Sequence, residues 1–274
     1  MNTVQDSQLG RHTDYPRAYD ASVLFPIART MGRGQLGIGA KLPFHGVDVW
    51  NAYELSWLEP GGKPRIALAR FFIPAHSPNL IESKSFKLYL GSFAGSTFDD
   101  IDAVQARLEH DLGRAAGAEV IVRLRVPEQF DQERIEDLRG ACIDALPVTI
   151  DGYGPPQSAL LRADVGNVVE ETLVSHLLKS NCPVTGQPDW ASVQIDYRGP
   201  RIDRASLLRY LISYREHSGF HEQCVEQIYC DLLARCAPSR LSVYARYTRR
   251  GGLDINPWRS STPSDPPNPR LARQ

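Results

Sequence analysis

Apolar and polar residues alternate in several stretches of this chain and recur at helical spacing in others. Val47 to Leu58 alternates over much of its length and predicts a strand. Pro60-Gly61-Gly62-Lys63-Pro64 predicts a turn, and Arg65 to Ile73 a returning strand, so the pair forms a hairpin. Ser83 to Phe93 is expected to open as a short helix. Phe98 to Ala116 places Ile101, Val104, Leu108 and Leu112 on one helical face, with Asp99 and Asp100 near its start, where acids suit the helix dipole. Ala118 to Val126 then predicts a strand.

The second half repeats this order. Val165 to Lys179 is mixed and suggests a helix at its end, and Trp190 to Tyr197 alternates as a strand. Asp203 to Tyr214 is amphipathic through Leu207, Leu208, Leu211 and Ile212. His221 to Cys236 is amphipathic through Val225, Ile228, Leu232 and Leu233. Leu241 to Tyr247 predicts a strand, Arg249-Arg250-Gly251-Gly252 a turn, and Leu253 to Ile255 a short return strand. Each half therefore reads as strands, two helices, then strands. Antiparallel hairpins with two helices packed on one face define an α+β fold. The expected partition is an arm over 1–45, one module over 46–150, a second over 151–259, and a Pro-rich tail over 260–274. The tail, with little apolar content, is expected to be disordered or wrapped on a partner.

Composition adds exclusions. The chain has 274 residues, 31 basic against 32 acidic, so its net charge is −1, without the basic excess usual in proteins that live on nucleic-acid backbones. No stretch approaches the ~20 apolar residues that span a bilayer, and Met1 to Asp20 lacks the apolar core of a signal peptide. Five cysteines, an odd count with no C-x-x-C, suit reduced thiols in a cytoplasm. Gly32-Arg33-Gly34-Gln35-Leu36-Gly37 matches G-x-G-x-x-G. A dinucleotide fingerprint needs a helix straight after it, and Pro43 with two more glycines follows instead. A glycine-rich loop is expected there.

Three clusters hold candidate chemistry. Cys182 opens the loop Cys182-Pro183-Val184-Thr185-Gly186-Gln187-Pro188-Asp189, which leads into a strand. A thiolate is a strong nucleophile, but a lone cysteine is more often a small core residue. Asp189 would not activate that thiol, because like charges disfavour a thiolate, and it suits proton delivery to an electrophile better. Phe220-His221-Glu222 starts a helix and reads equally as a dipole-favoured helix start. His221 and Cys224 amount to half a metal site, and no second pair at zinc spacing accompanies them, so no metal is expected. Glu82-Ser83-Lys84-Ser85-Phe86-Lys87 suits a phosphate or is a solvated charged face. The Arg249–Gly252 turn carries the same pair of readings.

Taken together, these clusters resemble a known family. Glu82-Ser83-Lys84-Ser85-Phe86-Lys87-Leu88-Tyr89 is similar to the E-S-K-S-x-K signature of the NADPH-dependent nitrile reductases that act on 7-cyano-7-deazaguanine. The Cys182–Asp189 loop, Phe220-His221-Glu222 and Arg249-Arg250-Gly251-Gly252 resemble three further blocks of that family, in the same order. The resemblance runs from about Leu24 to Arg259. It implies two tandem tunnelling-fold modules, reduction of the nitrile to an aminomethyl group with two NADPH, and a product used as a queuosine precursor for tRNA modification. It implies a covalent thioimide on Cys182, protonation by Asp189, and positioning or proton relay by His221. It implies substrate contacts from Ile81, Glu82, Ser83, His221 and Glu222, and NADPH contacts from Lys84, Ser85, Arg250 and Gly251. The longer, two-module type also implies a cytoplasmic homodimer in which each site needs both halves, acting on a small molecule with no nucleic acid or membrane. Two rivals stay open: a tunnelling-fold pterin enzyme such as a cyclohydrolase or aldolase, and a non-catalytic purine-binding module. A cyclohydrolase would need a Cys/His zinc set that the sequence does not display.

Overall fold

A computed structural model describes residues 15–274; the first part of the expected arm, 1–14, lies outside the described residues. The chain forms two compact units, each assembled from separated stretches. One takes the residues up to Gly32, then Asp48–Arg134 and Arg249–Asp254, and the other takes Arg33–Val47, Ile135–Thr248 and Ile255–Gln274.

In the first unit, β2 (His45–Leu58), β3 (Pro64–Pro74) and β5 (Ile121–Arg125) are sheet neighbours in the order β5-β3-β2. β3 and β5 pair antiparallel, with Phe71 opposite Val122. The alternation read from sequence has its physical cause here: Ala67, Ala69, Phe71 and Ile73 all point into the core. Helix α2 (Ser83–Ser92) lies on this sheet through Phe86, whose ring meets Trp50 and Phe71 at 5.0 Å each. Helix α3 (Ile101–Ala116) buries Val104, Leu108 and Leu112, as its spacing predicts. Asp100 caps it through the Ala103 N–H at 2.7 Å. Gly117 ends it at φ 72°, where a Cβ would stand 2.6 Å from Pro78 Cγ. A short antiparallel pair, β1 (Pro26–Ala28) with β4 (Asn79–Ile81), sets the entry to α2. Arg29 is fastened by its buried ion pair with Asp48 at 2.6 Å.

The second unit orders its strands β10-β9-β8-β7-β6. β7 (Ala163–Asn181) and β8 (Pro188–Ile202) form a long hairpin, and β9 (Arg240–Tyr247) and β10 (Leu253–Ser260) continue the antiparallel sheet. β6 (Ala141–Cys142) runs parallel at the β7 edge. Asp203 caps α4 (Arg204–Ile212) through the Ser206 N–H. Helix α5 (His221–Cys236) buries Val225, Ile228 and Leu232 against β8 and β9. The order β7-β8-α4-α5-β9-β10 is the strands, helices, strands pattern expected of a module.

Several expectations change. The G-x-G-x-x-G stretch is not a loop: Arg29–Gln35 is a seven-residue helix, α1, that contains Gly32 and Gly34. Buried arginines, Arg29 and Arg33, hold it despite the glycines. The helix expected at the end of Val165 to Lys179 is strand throughout, because β8 supplies partners out to Asn181. β10 runs to Ser260 rather than ending at Ile255, because β9 continues beside it to Ser242. The tail is ordered and packs on its own chain. Gln274 accepts from the Arg246 guanidinium and donates to the Tyr247 carbonyl, and Leu271 packs with Leu138 and Val174.

The second unit also buries charge. Glu226 accepts from Arg33 at 2.7 Å and from Arg259 at 2.8 Å, and both guanidinium groups lie near the Phe44 ring. Two cations around one carboxylate are held together only while that carboxylate is ionised. Removing one member of such a group typically costs about 3–5 kcal/mol. Glu226→Gln is therefore expected to destabilise the protein by about that much in urea unfolding. A loss below about 1 kcal/mol, the range of exposed pairs, would show that this carboxylate does not hold the two arginines.

Candidate active site

The β7–β8 hairpin places the thiol. Ser180 pairs with Asp189 and Asn181 with Pro188, so the strands separate immediately before Cys182. Its N–H then donates to the Gln187 carbonyl at 2.8 Å, and the Gly186 N–H returns to the Cys182 carbonyl at 3.0 Å. Gly186 takes φ 66°, which closes the turn. Residues 183–188 are exposed while Cys182 and Asp189, at the base of the loop, are 8% and 4% exposed. Residues directly opposite in an antiparallel pair share a face, as do residues two apart. Ser180 and Asp189 therefore share a face, and Tyr247, opposite Ala191, shares it too.

The start of α5 is tied to the same hairpin. The Asn181 N–H donates to the His217 carbonyl at 2.8 Å, and the Gly219 N–H to the Asn181 carbonyl at 3.1 Å. Gly219 has little spare room: a Cβ there would stand 3.0 Å from His217 Nε2 and 3.4 Å from Cys224 Sγ. Helix α5 begins two residues later, with Phe220 at the cap and its N–H on Gln223 Oε1. His221 then reaches Asp189, with Nε2 to Oδ2 at 3.3 Å. Its ring stacks on Tyr247 at a centroid distance of 3.7 Å and 5° between planes. Glu222 is buried in the first turn, where the dipole favours an acid.

This face is short of polar partners. His221 Nδ1 is buried without a hydrogen bond. The Ser180 and Tyr247 hydroxyls turn to each other and to the Cys224 thiol, a weak donor and acceptor. Burial pushes the Cys224 thiol up to about 12, against the Ser180 and Tyr247 contacts and with help from the Asp189 and Glu222 charges. Burial likewise lifts the Tyr247 phenol well above its ordinary value. Both groups stay neutral. The resulting set is a thiol, a carboxyl, an imidazole and a second carboxyl gathered in one unit. Such a set can add to an electrophile, move a proton and accept hydrogen bonds.

The remaining expected residues lie in the first unit. Ile81 is buried in β4, and Ser83 is the first residue of α2, half-buried. Glu82 is fully buried and caps α2. Its Oε1 accepts the Lys84 N–H at 2.6 Å and its Oε2 the Ser85 N–H at 2.8 Å. Burial raises the Glu82 carboxyl above its ordinary value, opposed by those two N–H bonds and by the charges of Lys87 and Lys84. Ser85 is spent on bracing: its hydroxyl donates to the Glu82 carbonyl and accepts the Phe25 N–H. The turn after β9 meets α2. Gly251, at φ 56°, lies so near Lys87 that a Cβ would stand 3.1 Å from Cδ. Arg250 closes the turn on Leu253, and the Arg249 guanidinium lies over the Tyr53 ring. Within this unit the turn therefore brings Gly251 against Lys87 of the E-S-K-S helix.

Sequence reasoning missed Tyr247, which reads as an ordinary strand residue; strand register alone puts it, with Ser180, on the Asp189 face. It gave Lys87 only a share in the phosphate reading; its approach to the Gly251 turn comes from the fold and has no signal in the sequence.

Residues 15–124 match the family model described as "Nitrile reductase, 7-cyano-7-deazaguanine-reductase N-term", and residues 188–265 match "QueF-like protein". An α+β fold that carries both matches, in this order, falls in the nitrile reductase class. The chain is 59% identical over 271 residues to the "NADPH-dependent 7-cyano-7-deazaguanine reductase" of Burkholderia vietnamiensis, spanning 98% of this chain and 99% of that one. It is 58% identical over 273 residues to the protein of that name from Paraburkholderia phytofirmans, spanning 99% and 100%. The chain belongs to the family of NADPH-dependent 7-cyano-7-deazaguanine reductases. Among solved structures it is similar to the archaeosine synthase QueF-Like in the apo form, with a TM-score of 0.31 and 19% identity, over 35% of this chain and 96% of that one.

The Arg249–Gly252 turn can be tested by itself. Gly252 sits at φ 75°, and a Cβ would stand 2.6 Å from the Glu54 carboxyl carbon. Gly252→Ala is expected to lower stability by about 1–2 kcal/mol, the left-handed cost of an L residue, read as a drop in Tm. An unchanged Tm would show that the turn takes another conformation.

Proposed function

We propose that this protein is an oxidoreductase that reduces the nitrile of 7-cyano-7-deazaguanine to the aminomethyl group, using two NADPH, in queuosine biosynthesis. Full-length kinship with reductases of that name supports the activity. The observation that carries the mechanism is the 3.3 Å contact between His221 and Asp189 at the base of the Cys182 loop.

Cys182 is the nucleophile. Its S–H bond breaks and the proton passes to the His221–Asp189 pair, the sulfur adds to the nitrile carbon, the carbon–nitrogen triple bond becomes a double bond, and the nitrogen takes a proton. The result is a thioimide. Asp189 delivers that proton, because a bare imide anion is a poor product. His221, bonded to Asp189 and held flat by Tyr247, refills the acid and orients the base. Its unpartnered Nδ1 is an atom that a bound purine edge would satisfy. In the second unit Glu222 offers an acceptor to the N–H groups of the guanine-like ring; in the first unit Glu82, with Ile81 and Ser83, offers a contact of the same kind, and acceptors of this sort reject analogues that lack those donors.

The residues of the first unit fit a nicotinamide dinucleotide phosphate. Cationic Lys84 and Arg250, with Lys87 beside them, suit its phosphates, and Gly251 leaves its backbone open to close approach. Ser85, whose hydroxyl is committed, positions the α2 start rather than touching the cofactor. Each NADPH would supply one hydride when bound, two cofactors serving in turn. Keeping water from the half-reduced imine is the task of the surrounding protein, since water would hydrolyse it. The protein works as a cytoplasmic homodimer on the free base, without nucleic acid. No helix among the described residues is long and apolar enough to cross a membrane.

Mixing the protein with 7-cyano-7-deazaguanine in the absence of NADPH should give a covalent adduct by intact mass. The adduct should vanish in Cys182→Ala. An adduct that survives that change, or none on the unaltered protein, rejects the thioimide and favours a non-catalytic purine binder. Glu222→Leu should weaken binding of the same base by at least about 1–3 kcal/mol, the cost of unpaired buried donors. Unaltered affinity by calorimetry would leave Glu222 a helix-start residue only.

A further inference from the structure

The β6 edge of the second unit holds a cluster that the reduction does not use. β6 lies parallel to β7, with Cys142 beside Val174, and the Ile143 N–H donates to the Val174 carbonyl at 2.9 Å. β6 ends at Cys142, and the chain turns at Asp144, where the Leu146 N–H donates to the Ile143 carbonyl at 3.2 Å. The facing strand is irregular at this level. The β7–β8 register shifts between Ser175 and Leu178, which leaves His176 in a bulge. Bulges re-aim side chains. The sulfur of Cys142, a carboxylate oxygen of Asp144 and a ring nitrogen of His176 lie within 4.8 Å of one another.

We propose that Cys142, Asp144 and His176 form a zinc site, with water as the fourth ligand, that fastens β6 and the segment after it to β7. The donor set is the first argument. One sulfur, one nitrogen and one carboxylate oxygen suit a borderline divalent ion such as zinc, and do not suit magnesium or calcium. Zinc bonds of about 2.0–2.3 Å in a tetrahedron set donors roughly 3.3–3.8 Å apart. The three donor atoms, within 4.8 Å of one another, would draw together on binding by side-chain rotation.

Outer hydrogen bonds are the second argument. Metal-bound imidazoles and carboxylates are generally oriented by partners of their own. His176 Nδ1 meets Ser192 Oγ at 2.8 Å, so one ring nitrogen is engaged and Nε2 is left as the donor. Asp144 Oδ1 accepts the Ser175 hydroxyl at 2.6 Å and Oδ2 the His176 N–H at 2.8 Å. Each oxygen keeps a further lone pair. The bulge that frees His176 also aims Ser175 and the His176 N–H at Asp144. Binding converts the Cys142 thiol to a thiolate and releases its proton to solvent, with no redox change.

Cobalt(II) is the probe, because zinc has no visible spectrum. The full chain carrying Cys182→Ala removes the other candidate thiol. It should take up one equivalent of cobalt with a thiolate-to-metal charge-transfer band, which added zinc abolishes. Adding Cys142→Ser should remove that band, and adding His176→Ala should do the same. Ser192→Ala should weaken cobalt binding by about 10–100-fold, the usual effect of losing an orienting partner. Zinc should raise the Tm of the Cys182→Ala chain and not that of the Cys142→Ser double variant. No thiolate band at equimolar cobalt, or a band that persists after Cys142→Ser, overturns the site.

Discussion

The register of the β7–β8 hairpin decides where the chemistry of the second unit stands. Ser180 opposite Asp189 puts both on one face and leaves Cys182 at the mouth of the turn. A slip of one residue would send Asp189 to the opposite face, where exposed Trp190 now points. The register is well specified because its buried positions are consistent: Leu178 pairs with Ala191 and both are inaccessible. The same strands absorb an irregularity between Ser175 and Leu178, and that break frees His176. One hairpin thus supplies the loop at its turn and the bulge at its flank.

Helix α5 depends on this hairpin in turn. Its first residues carry the imidazole and a buried carboxyl, and its entry is tied to Asn181 by two backbone hydrogen bonds. Further along, Glu226 anchors the same helix between Arg33 and Arg259. A helix held at both its start and its second turn has little freedom to rotate, so His221 keeps its plane against Tyr247. At this rigid face the buried His221 Nδ1 has no hydrogen-bond partner. Buried groups without partners are uncommon in native proteins, and a site awaiting a polar ligand is one physical reason for them.

Much of this was legible in the sequence because period and burial coincide. The helices over Ile101–Ala116 and His221–Cys236 follow their apolar spacing closely. What failed has a common cause. Residues 165–179 are not helical because a partner strand overrides local preference, and that partner is invisible in a window of residues. Gly32 and Gly34 stand in a helix because Arg29 and Arg33 find buried carboxylates far along the chain. The tail holds its place through Gln274 and Leu271, which no periodicity announces. Tyr247 was missed for the same reason: its relation to His221 arises from cross-strand register, not from spacing.

Glu82 illustrates how a capping residue and a recognition residue become the same thing. A carboxylate that caps a helix is fixed by two backbone N–H groups, one on each oxygen. Each oxygen retains a lone pair whose direction is set by that cap. Burial favours the neutral acid, while the N–H groups and two lysines favour the anion. A ligand that brings N–H donors to those lone pairs favours the anion further. Under the proposed function, the guanine-like ring would do this and would meet an acceptor already oriented. Ser85, by holding both the Glu82 carbonyl and the Phe25 N–H, keeps the cap from turning. The E-S-K-S order then has a physical reading: acceptor, helix start, cation and brace stand on one helical turn because each fixes the next.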